Sequence, residues 1–492
     1  MERKKKAGIL MPVSALPGKE GIGDFGTEAK RFVDIIAKEG FAYWQILPLN
    51  PVGYGHSPYQ PYSSYAIDET FIDLDDLVKR GYLARLPKYE GVLDKVDFEA
   101  VREFKLPLLR KAFEKNIKVN PHCLDKFIKE NPWVNDYAIF AHFHRVYNAS
   151  WSDWPEGDRL YLENRRKLTR EERKSIKFEI YLQMVAYRQW NSLHAYANSK
   201  GIEIIGDVPF YVGYDSCDVY ANKDNFLLDE VTLEPTFIAG VPPDYFSKTG
   251  QRWGNPIYNW EKMEKEGFAF LKERILRNAK LYDIIRLDHF RAFDTYWKIP
   301  SNCETAIDGE WIEAPGYAFF DLLFQEAPEL KEKIIAEDLG DLRPEVLVLR
   351  DHYDFPGMNV VEFTFEDDVF LKKEGYDAEN SVIYLGTHDN DTMQGFLDEM
   401  KEEERKKWED KLLELGYKEG STVDKLIRFC LDKPADKVIL TVQDILNLDT
   451  SARINVPGIV DNVNWTFKIV DFKDFAARLS SYGGLLKKTG RA

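Results

Sequence analysis

The stretch that decides the fold is Asp283-Ile284-Ile285-Arg286-Leu287-Asp288-His289-Phe290. Two β-branched residues precede Arg286, and Arg286 and Asp288 then lie on the same side of a strand with a period of two. We interpret the stretch as a short buried strand that delivers charged residues at its C-terminal end. An arginine beside a carboxylate keeps that carboxylate ionised. In isolation, the octapeptide is more typical of an ordinary structural ion pair than of a functional site.

Working outward, short apolar runs recur along the chain and alternate with helical patterns. The runs are residues 7–11, 43–49, 203–208, 284–288, 333–338, 359–363, 382–387 and 437–442. About eight strands that alternate with helices predict a parallel sheet closed into a (β/α)8 TIM barrel. An open doubly wound sheet is the alternative, but no glycine-rich phosphate turn follows the first run.

Two insertions interrupt the alternation in what we interpret as a single catalytic domain of 492 residues. Approximately residues 52–200, after the second strand, contain helical stretches such as 98–117 and 176–199, which predict a mostly helical subdomain. Approximately residues 209–282 form a second insertion of loops after the third strand. About fifty residues follow the eighth run, too few for a C-terminal β-sandwich domain.

Composition narrows the classes of partner. The formal net charge of -16 argues against a nucleic-acid partner, because it would not neutralise phosphates. Four cysteines lie far apart, which indicates neither a disulfide framework nor a zinc motif. We read no signal peptide and no apolar run long enough to span a bilayer, so we expect a cytoplasmic protein without a membrane partner.

Carboxylates follow several of the predicted strands. Asp207, Asp288, Glu337 and Asp389 stand at the ends of four runs, and the C-terminal ends of barrel strands converge on one mouth. Carboxylates gathered without lysines raise one another's pKa, so one can stay protonated while another is ionised. Two interpretations compete for such a cluster: a site for a hard cation, and a glycosidic site with a proton donor and a nucleophile.

Two loops near the predicted mouth favour the glycosidic site over the cation site. Residues 54–60 read Tyr-Gly-His-Ser-Pro-Tyr-Gln, and residues 250–256 read Gly-Gln-Arg-Trp-Gly-Asn-Pro. Aromatic ring faces and amide hydrogen bonders occur together in sugar sites. Each loop is also typical of turn structure, so their coincidence with the carboxylates carries the argument.

The same segments resemble the signature blocks of a known family. Arg-Leu-Asp-His-Phe-Arg at 286–291, Ala-Glu-Asp-Leu-Gly at 336–340 and Thr-His-Asp-Asn-Asp at 387–391 are similar to blocks of the amylomaltases. These are 4-alpha-glucanotransferases related to the α-amylases. Further similar blocks cover nearly the whole chain, namely 53–60, 206–212, 250–256, 296–300, 355–358, 443–444 and 455–458.

The resemblance implies a retaining transferase that moves α-1,4-glucan segments between maltooligosaccharides, with no cofactor and no metal. It implies Asp288 as nucleophile, Glu337 as general acid/base and Asp389 as transition-state stabiliser. The implied substrate-binding residues are Arg286, His388, His289, Asp207, Tyr54, Tyr59, Gln251, Trp253, Gly458 and Asn464. Retention predicts a separation of about 5–5.5 Å between the carboxyl groups of Asp288 and Glu337.

Three positions depart from the family pattern, and two other functions compete with it. Ala292 and Ala314 stand where glycine is expected, and Ile459 stands where threonine is usual. One rival is a hydrolase that uses the same carboxylates with water as acceptor. The other is a carbohydrate-binding protein without turnover, which the intact catalytic set of carboxylates disfavours.

Overall fold

The predicted (β/α)8 barrel is confirmed in a computed structural model, which describes residues 5–243, 247–366, 379–461 and 463–492. The strands of the described residues are β1 (Lys6–Leu10), β2 (Tyr43–Gln45), β3 (Glu203–Val208), β4 (Phe237–Val241), β5 (Gln251–Pro256), β6 (Ile284–Leu287), β7 (Thr295–Pro300), β8 (Glu310–Glu313), β9 (Ile334–Ala336), β10 (Gly357–Val360), β11 (Ser381–Tyr384) and β12 (Lys437–Thr441). Within this part of the chain, eight strands form the barrel sheet in the order β10-β11-β12-β1-β2-β3-β6-β9. The neighbouring strands in this order pair in parallel.

The barrel closes between β9 and β10 through one backbone hydrogen bond and one side chain. The N–H of Ala336 donates to the carbonyl oxygen of Pro356 at 3.0 Å. Just beyond β9, a carboxylate oxygen of Asp338 accepts the N–H of Met358 at 2.7 Å, and the other oxygen pairs with Arg350. Asp338 therefore completes the seam beside the end of β9.

Most predicted strands end earlier in the structure than in the sequence pattern. The predicted run 284–288 ends at Leu287, the run 333–338 ends at Ala336, and the run 382–387 ends at Tyr384. The polar residues at the ends of these runs therefore lie in the loops of the mouth. The run predicted at 359–363 is shifted, because the strand is Gly357–Val360 and a helical turn begins at Val361.

Helices surround the sheet and fill the region between β2 and β3. The longest, Arg170–Ser199, begins with a capping box in which Thr169 and Glu172 bond each other's backbone N–H groups. The described α-helices are Thr27–Lys38, Leu74–Lys79, Phe98–Val119, Asp125–Glu130, Val134–Tyr147, Glu156–Arg159, Tyr161–Asn164, Arg170–Ser199, Cys217–Ala221, Trp260–Lys265, Ala269–Leu281, Gly316–Glu326, Pro344–His352, Val361–Thr364, Met393–Glu399, Glu402–Glu414, Thr422–Asp432, Val442–Leu446 and Lys473–Lys488. Among the residues described, no helix combines the length and apolar composition needed to cross a membrane.

The helical region between β2 and β3 packs directly on the barrel. The indole N–H of Trp190 donates to the carbonyl oxygen of Leu281 at 3.1 Å. Within the region, the side-chain amide of Gln183 exchanges two hydrogen bonds with the backbone of Ile67, each 2.9 Å long. Buried residues of this region and of the barrel belong to one hydrophobic core. The limits predicted for the inserted segments stay predictions.

A second sheet, which the sequence analysis did not predict, lies beside the barrel. Its antiparallel strands follow the order β5-β4-β7-β8. Two of them precede β6 in the chain and two follow it. In the sequence, the strands of this sheet therefore lie on both sides of β6, the strand that precedes Asp288. Trp253 lies on β5 of this sheet.

Candidate active site

Arg286 is the buried centre of the site, with 3% of its surface exposed. It lies on β6, where the strand register pairs it with Asp207 on β3. Its Nη1 atom donates to the two carboxylate oxygens of Asp207 at 2.9 and 2.7 Å and to Oδ1 of Asp288 at 3.0 Å. Arg286 and Asp288 thus lie on one side of the strand, as its period predicts. One guanidinium fixes both carboxylates by charge-assisted hydrogen bonds.

Glu337 follows β9 and is held by backbone groups. Its Oε2 atom accepts the N–H of His289 at 2.7 Å, and its Oε1 atom accepts the N–H of Leu339 at 2.9 Å. His289 is the residue after Asp288, so this contact keeps the carboxyl group of Glu337 close to Asp288. His289 has a left-handed backbone with φ of 51°, which turns the chain sharply at this point.

Asp389 lies in the loop after β11 and is held by several partners. Its Oδ2 atom is 3.1 Å from Nε2 of His388, and its Oδ1 atom accepts from the amide of Asn455 at 2.7 Å. Arg453 donates to the backbone carbonyl oxygen of Asp389 at 2.8 Å and to that of Asn455 at 2.8 Å. The Asp389 side chain is nevertheless 42% exposed, so it faces the open cleft.

Aromatic rings form one wall of the cleft. The ring of Tyr59 stacks on His388 with centroids 4.9 Å apart and an angle of 7° between planes. The hydroxyl of Tyr59 donates to Oδ2 of Asp207 at 2.7 Å. Trp465 lies against both rings at 5.8 and 6.1 Å. The predicted loop 54–60 thus reaches the network around Arg286.

Trp253 on β5 forms part of a second wall. Its ring meets the imidazole of His289 edge to face with centroids 4.8 Å apart. Its indole N–H donates to Oε1 of Gln251 at 3.1 Å, and its backbone carbonyl accepts from the amide of Gln60 at 2.8 Å. The two predicted loops, 54–60 and 250–256, therefore meet at the mouth.

The two carboxyl groups at the centre of the cleft both have raised pKa values. Burial raises the pKa of Asp288 to about 7, although Arg286 works in the opposite direction. Burial also raises the pKa of Glu337, although Arg286 and two backbone N–H groups work in the opposite direction. Asp288 accepts a hydrogen bond from the guanidinium itself, whereas Glu337 accepts its two hydrogen bonds from backbone N–H groups.

The pKa values of Asp389, His388 and His289 are also shifted. Removal from bulk solvent opposes ionisation of Asp389, but the charge of His388 and the bonds from His388 and Asn455 lower its pKa to about 2. Burial opposes protonation of His388, yet the neighbouring Asp389 raises its pKa. Burial lowers the pKa of His289 to about 3, with help from Arg291, so this imidazole is neutral.

Comparisons with known proteins agree with this geometry. A family model described as 4-alpha-glucanotransferase matches residues 11–472. The chain belongs to the 4-alpha-glucanotransferase family. A 4-alpha-glucanotransferase of Aquifex aeolicus is 41% identical over 472 residues, which cover 94% of this chain and 95% of that protein. One of Thermus thermophilus is 39% identical over 96% of each chain.

A solved structure supports the same assignment. The amylomaltase from Streptococcus agalactiae in complex with acarbose has a TM-score of 0.92 to this chain at 33% identity. The match covers 99% of this chain and 100% of that one. The resemblance, the barrel and the transferase class predicted from the motifs are confirmed. The enzyme transfers segments of glucan, as the family does.

Not every predicted binding residue of this 4-alpha-glucanotransferase presents free polar groups to the cleft. The amide of Asn464 bonds the backbone of Val456 and Ile459 and so shapes its own loop. Gly458 lies exposed in the same loop with φ of 77°. The side chain of Tyr54 lies outside the described residues. Tyr245 and Phe246, which precede the loop 250–256 and which the sequence suggests as covers for the cleft, also lie outside them.

Sequence reasoning missed two residues of the 4-alpha-glucanotransferase site. Arg453 and Asn455 hold Asp389, but no role was predicted for either. Asn455 opens the block at 455–458, which was the available signal. In the described residues, no group of three or more histidine, cysteine or acidic side chains has the arrangement to hold a metal ion.

Proposed function

We propose that Asp288, Glu337 and Asp389 carry out a retaining transfer of α-1,4-glucan segments between maltooligosaccharides in the cytoplasm. Glu337 protonates the glycosidic oxygen while a carboxylate oxygen of Asp288 attacks the anomeric carbon, which breaks the bond to the leaving glucan and forms a glycosyl ester. Glu337, now ionised, takes the proton from the 4-hydroxyl of an acceptor glucan or glucose. That oxygen attacks the same carbon, releases Asp288 and forms a new α-1,4 bond.

The observation that carries the proposal is the paired environment of the two carboxyl groups. Arg286 donates to Asp288 at 3.0 Å, and the backbone beside Asp288 donates to Glu337 at 2.7 Å. Burial raises the pKa of both groups, and only Asp288 accepts a hydrogen bond from the guanidinium of Arg286, so we assign the negative charge to Asp288 and the proton to Glu337. These are the states that a nucleophile and a general acid need. Retention requires the two carboxyl groups about 5–5.5 Å apart, and we keep that separation as a prediction.

We assign Asp389 the role of transition-state stabiliser. Its charge persists at neutral pH because its pKa is lowered to about 2. Hydroxyl groups of the sugar at the cleavage point would bond this carboxylate and the imidazole of His388. Such contacts strengthen as positive charge develops on the sugar, and they lower the barrier.

The other predicted binding residues divide into two roles. Tyr59, Gln251, Trp253 and His289 have rings or polar groups at the cleft, and we assign them to sugar contacts. Asp207 has no exposed side-chain surface, so we assign it a positioning role through Arg286 and Tyr59 rather than a direct contact. Arg286 acts on the substrate through Asp288. Asn464 and Gly458 shape the loop beside Asp389. Tyr54 remains a predicted aromatic contact for glucan.

Incubation with maltotriose alone tests transfer against hydrolysis. A transferase yields glucose and a ladder of longer glucans, while the total number of reducing ends stays nearly constant. Chromatography of the products and a reducing-end assay measure both. A steady rise in reducing ends from the first minutes would support the hydrolase instead.

The Asp288→Asn variant is the control for the assigned nucleophile. A neutral amide cannot form the glycosyl ester, so turnover falls more than about a thousandfold while glucan binding persists. Circular dichroism checks that the variant folds. A folded variant with more than a few per cent of wild-type activity would show that the nucleophile is another residue.

A further inference from the structure

A pair of tryptophans lies on the antiparallel sheet at the rim of the mouth. Trp297 on β7 and Trp311 on β8 are direct partners in the strand register. Their rings meet at 64° with centroids 5.1 Å apart. Trp311 is 39% exposed, and the mechanism above gives it no role. A large aromatic ring held open to solvent on an edge strand is a candidate contact for a ligand.

Arg291 connects this ring to the catalytic loops. Its guanidinium carbon lies 3.9 Å from the ring centroid of Trp311. Its Nη1 atom donates to the carbonyl oxygen of Asp341 at 2.6 Å. Arg291 follows Asp288 by three positions, and Asp341 follows Glu337 by four. The ring therefore lies beside the two loops that carry the nucleophile and the general acid.

The platform is rigid before any ligand binds. The indole N–H of Trp297 donates to the carbonyl oxygen of Ala306 at 2.9 Å. Gly309 passes so close to Trp297 that a Cβ atom there would lie 2.3 Å from the indole nitrogen. Trp311 is held by Trp297 along one edge and by Arg291 over one face. A pre-ordered ring loses little conformational entropy when a sugar stacks on it.

We propose that Trp311 is a stacking platform for a glucose unit of the leaving or acceptor glucan, several units away from the cleavage point. The inference rests on the proposed role of Glu337. Because Glu337 protonates the leaving oxygen, the leaving chain extends from Asp288 toward the loop of Glu337. Arg291 and Asp341 line that side, and Trp311 follows them at the rim.

The surroundings of the ring suit a neutral sugar. Glu313 lies two positions along β8 from Trp311, hence on the same face of the sheet, and its exposed carboxylate can accept hydrogen bonds from hydroxyl groups. The apolar face of glucose can cover an indole while its hydroxyl groups bond this carboxylate. Since only a long glucan reaches from the cleavage point to Trp311, the ring favours long chains over short ones.

The experiment compares a long donor with a short one. For wild type and variants, kcat/KM is measured with maltoheptaose and with maltotriose, and the ratio of the two values is the readout. Trp311→Ala is expected to lower this ratio about threefold to tenfold, the range for loss of one aromatic contact. Trp311→Phe keeps a ring and is expected to retain most of the ratio. Tyr317→Ala removes an exposed aromatic from a neighbouring helix, and the ratio should not change.

The outcomes separate this inference from the proposed function. An equal loss with both donors means that Trp311 supports the fold and refutes the platform. An unchanged ratio in Trp311→Ala refutes it as well. If the maltotriose test shows hydrolysis, the transferase proposal fails, yet the ratio between long and short donors still reports on Trp311.

Discussion

At the scale of single residues, the two central carboxyl groups differ in what touches them. Asp288 receives a guanidinium, and Glu337 receives two backbone N–H groups. Activity requires Asp288 ionised, so it rises as pH rises through the pKa of Asp288. It requires Glu337 protonated, so it falls as pH rises through the pKa of Glu337. We expect a bell-shaped dependence of kcat/KM on pH. Because Asp288 and Glu337 interact, its two apparent pKa values describe the pair rather than either residue alone.

Glu337→Gln should remove the alkaline limb, because an amide has no proton to lose in that range. The loss of rate should be largest for natural glucans, whose leaving oxygen is strongly basic, and small in the first step for an activated aryl glycoside. The variant should then form the covalent intermediate and release it slowly. Rapid-mixing measurements of the aryl product and pH profiles test this. Equal losses in both steps with every donor would contradict the acid/base role.

Asn455 is a positioning residue for Asp389. Its amide donates to Oδ1 of Asp389 at 2.7 Å, and a hydrogen bond to a charged group contributes about 1.5–3 kcal/mol. Asn455→Ala should therefore lower kcat/KM roughly tenfold to a hundredfold. It should also raise the pKa of Asp389, so that activity is lost at a higher pH on acidification.

Asn455→Asp is the matched comparison, because it keeps the shape but replaces the donor by a like charge. It should lose more activity than Asn455→Ala at neutral pH and recover partly on acidification. Thermal unfolding checks that both variants fold. Wild-type kinetics and an unchanged acid limb in Asn455→Ala would show that Asp389 needs no such support.

The sequence predicted the carboxylates of the site for a physical reason. The C-terminal ends of all the parallel strands of a barrel meet at one mouth. Asp288, Glu337 and Asp389 follow three different runs, so their positions in the sequence predict that they lie in one site. Arg453 and Asn455 could not be assigned to the site by this rule, because neither follows a barrel strand directly. They reach Asp389 from 64 and 66 positions away through a loop that folds back after the last strand. The sequence of such a loop has no hydrophobic periodicity from which its path could be predicted.

At the scale of elements, strand existence was easier to predict than strand ends. The apolar runs marked all eight barrel strands, yet the run predicted at 359–363 is displaced, because Val360 and Val361 are apolar on both sides of the point where the strand becomes a helix. The antiparallel sheet escaped prediction for another reason. Residues 251–256 contain glycine and proline and read as a turn, and β4 pairs with β7, which is distant in the chain.

The seam between β9 and β10 gives a prediction at this scale. The Asp338 side chain is 5% exposed and joins Met358 N–H to Arg350. Asp338→Ala leaves a buried guanidinium without this partner, so the free energy of unfolding should fall by about 3–5 kcal/mol. Urea denaturation measures the change.

The control for the seam uses the same arginine. Arg350 also pairs with Asp351 at 2.7 Å, but the Asp351 side chain is largely exposed. Asp351→Ala should change the free energy of unfolding by less than about 1 kcal/mol, as exposed pairs do. If the two variants were equally stable, the carboxylate of Asp338 would not be what closes the barrel.

At the scale of the whole molecule, the mouth is assembled from three parts of the chain. The barrel supplies the carboxylates, the loop after β2 supplies Tyr59 and Gln60, and the antiparallel sheet supplies Trp253. Gln60 bonds the backbone of Trp253 at 2.8 Å, so the loop after β2 and the antiparallel sheet support each other at the mouth. A braced wall can cover the glycosyl ester and keep water from it.

Trp253 should therefore decide between transfer and hydrolysis. A sugar acceptor can stack on its ring and gain on the order of 1–3 kcal/mol that water lacks, which favours transfer by roughly tenfold to a hundredfold. Trp253→Ala removes this gain and opens the cleft, so the ratio of transfer to hydrolysis with maltotriose should fall about tenfold or more. Trp253→Phe keeps an aromatic face and should stay closer to wild type. Product ladders and reducing ends, measured together, give the ratio. If Trp253→Ala slowed both reactions equally, the ring would serve to bind the donor, and the preference for sugar over water would have to come from another part of the mouth.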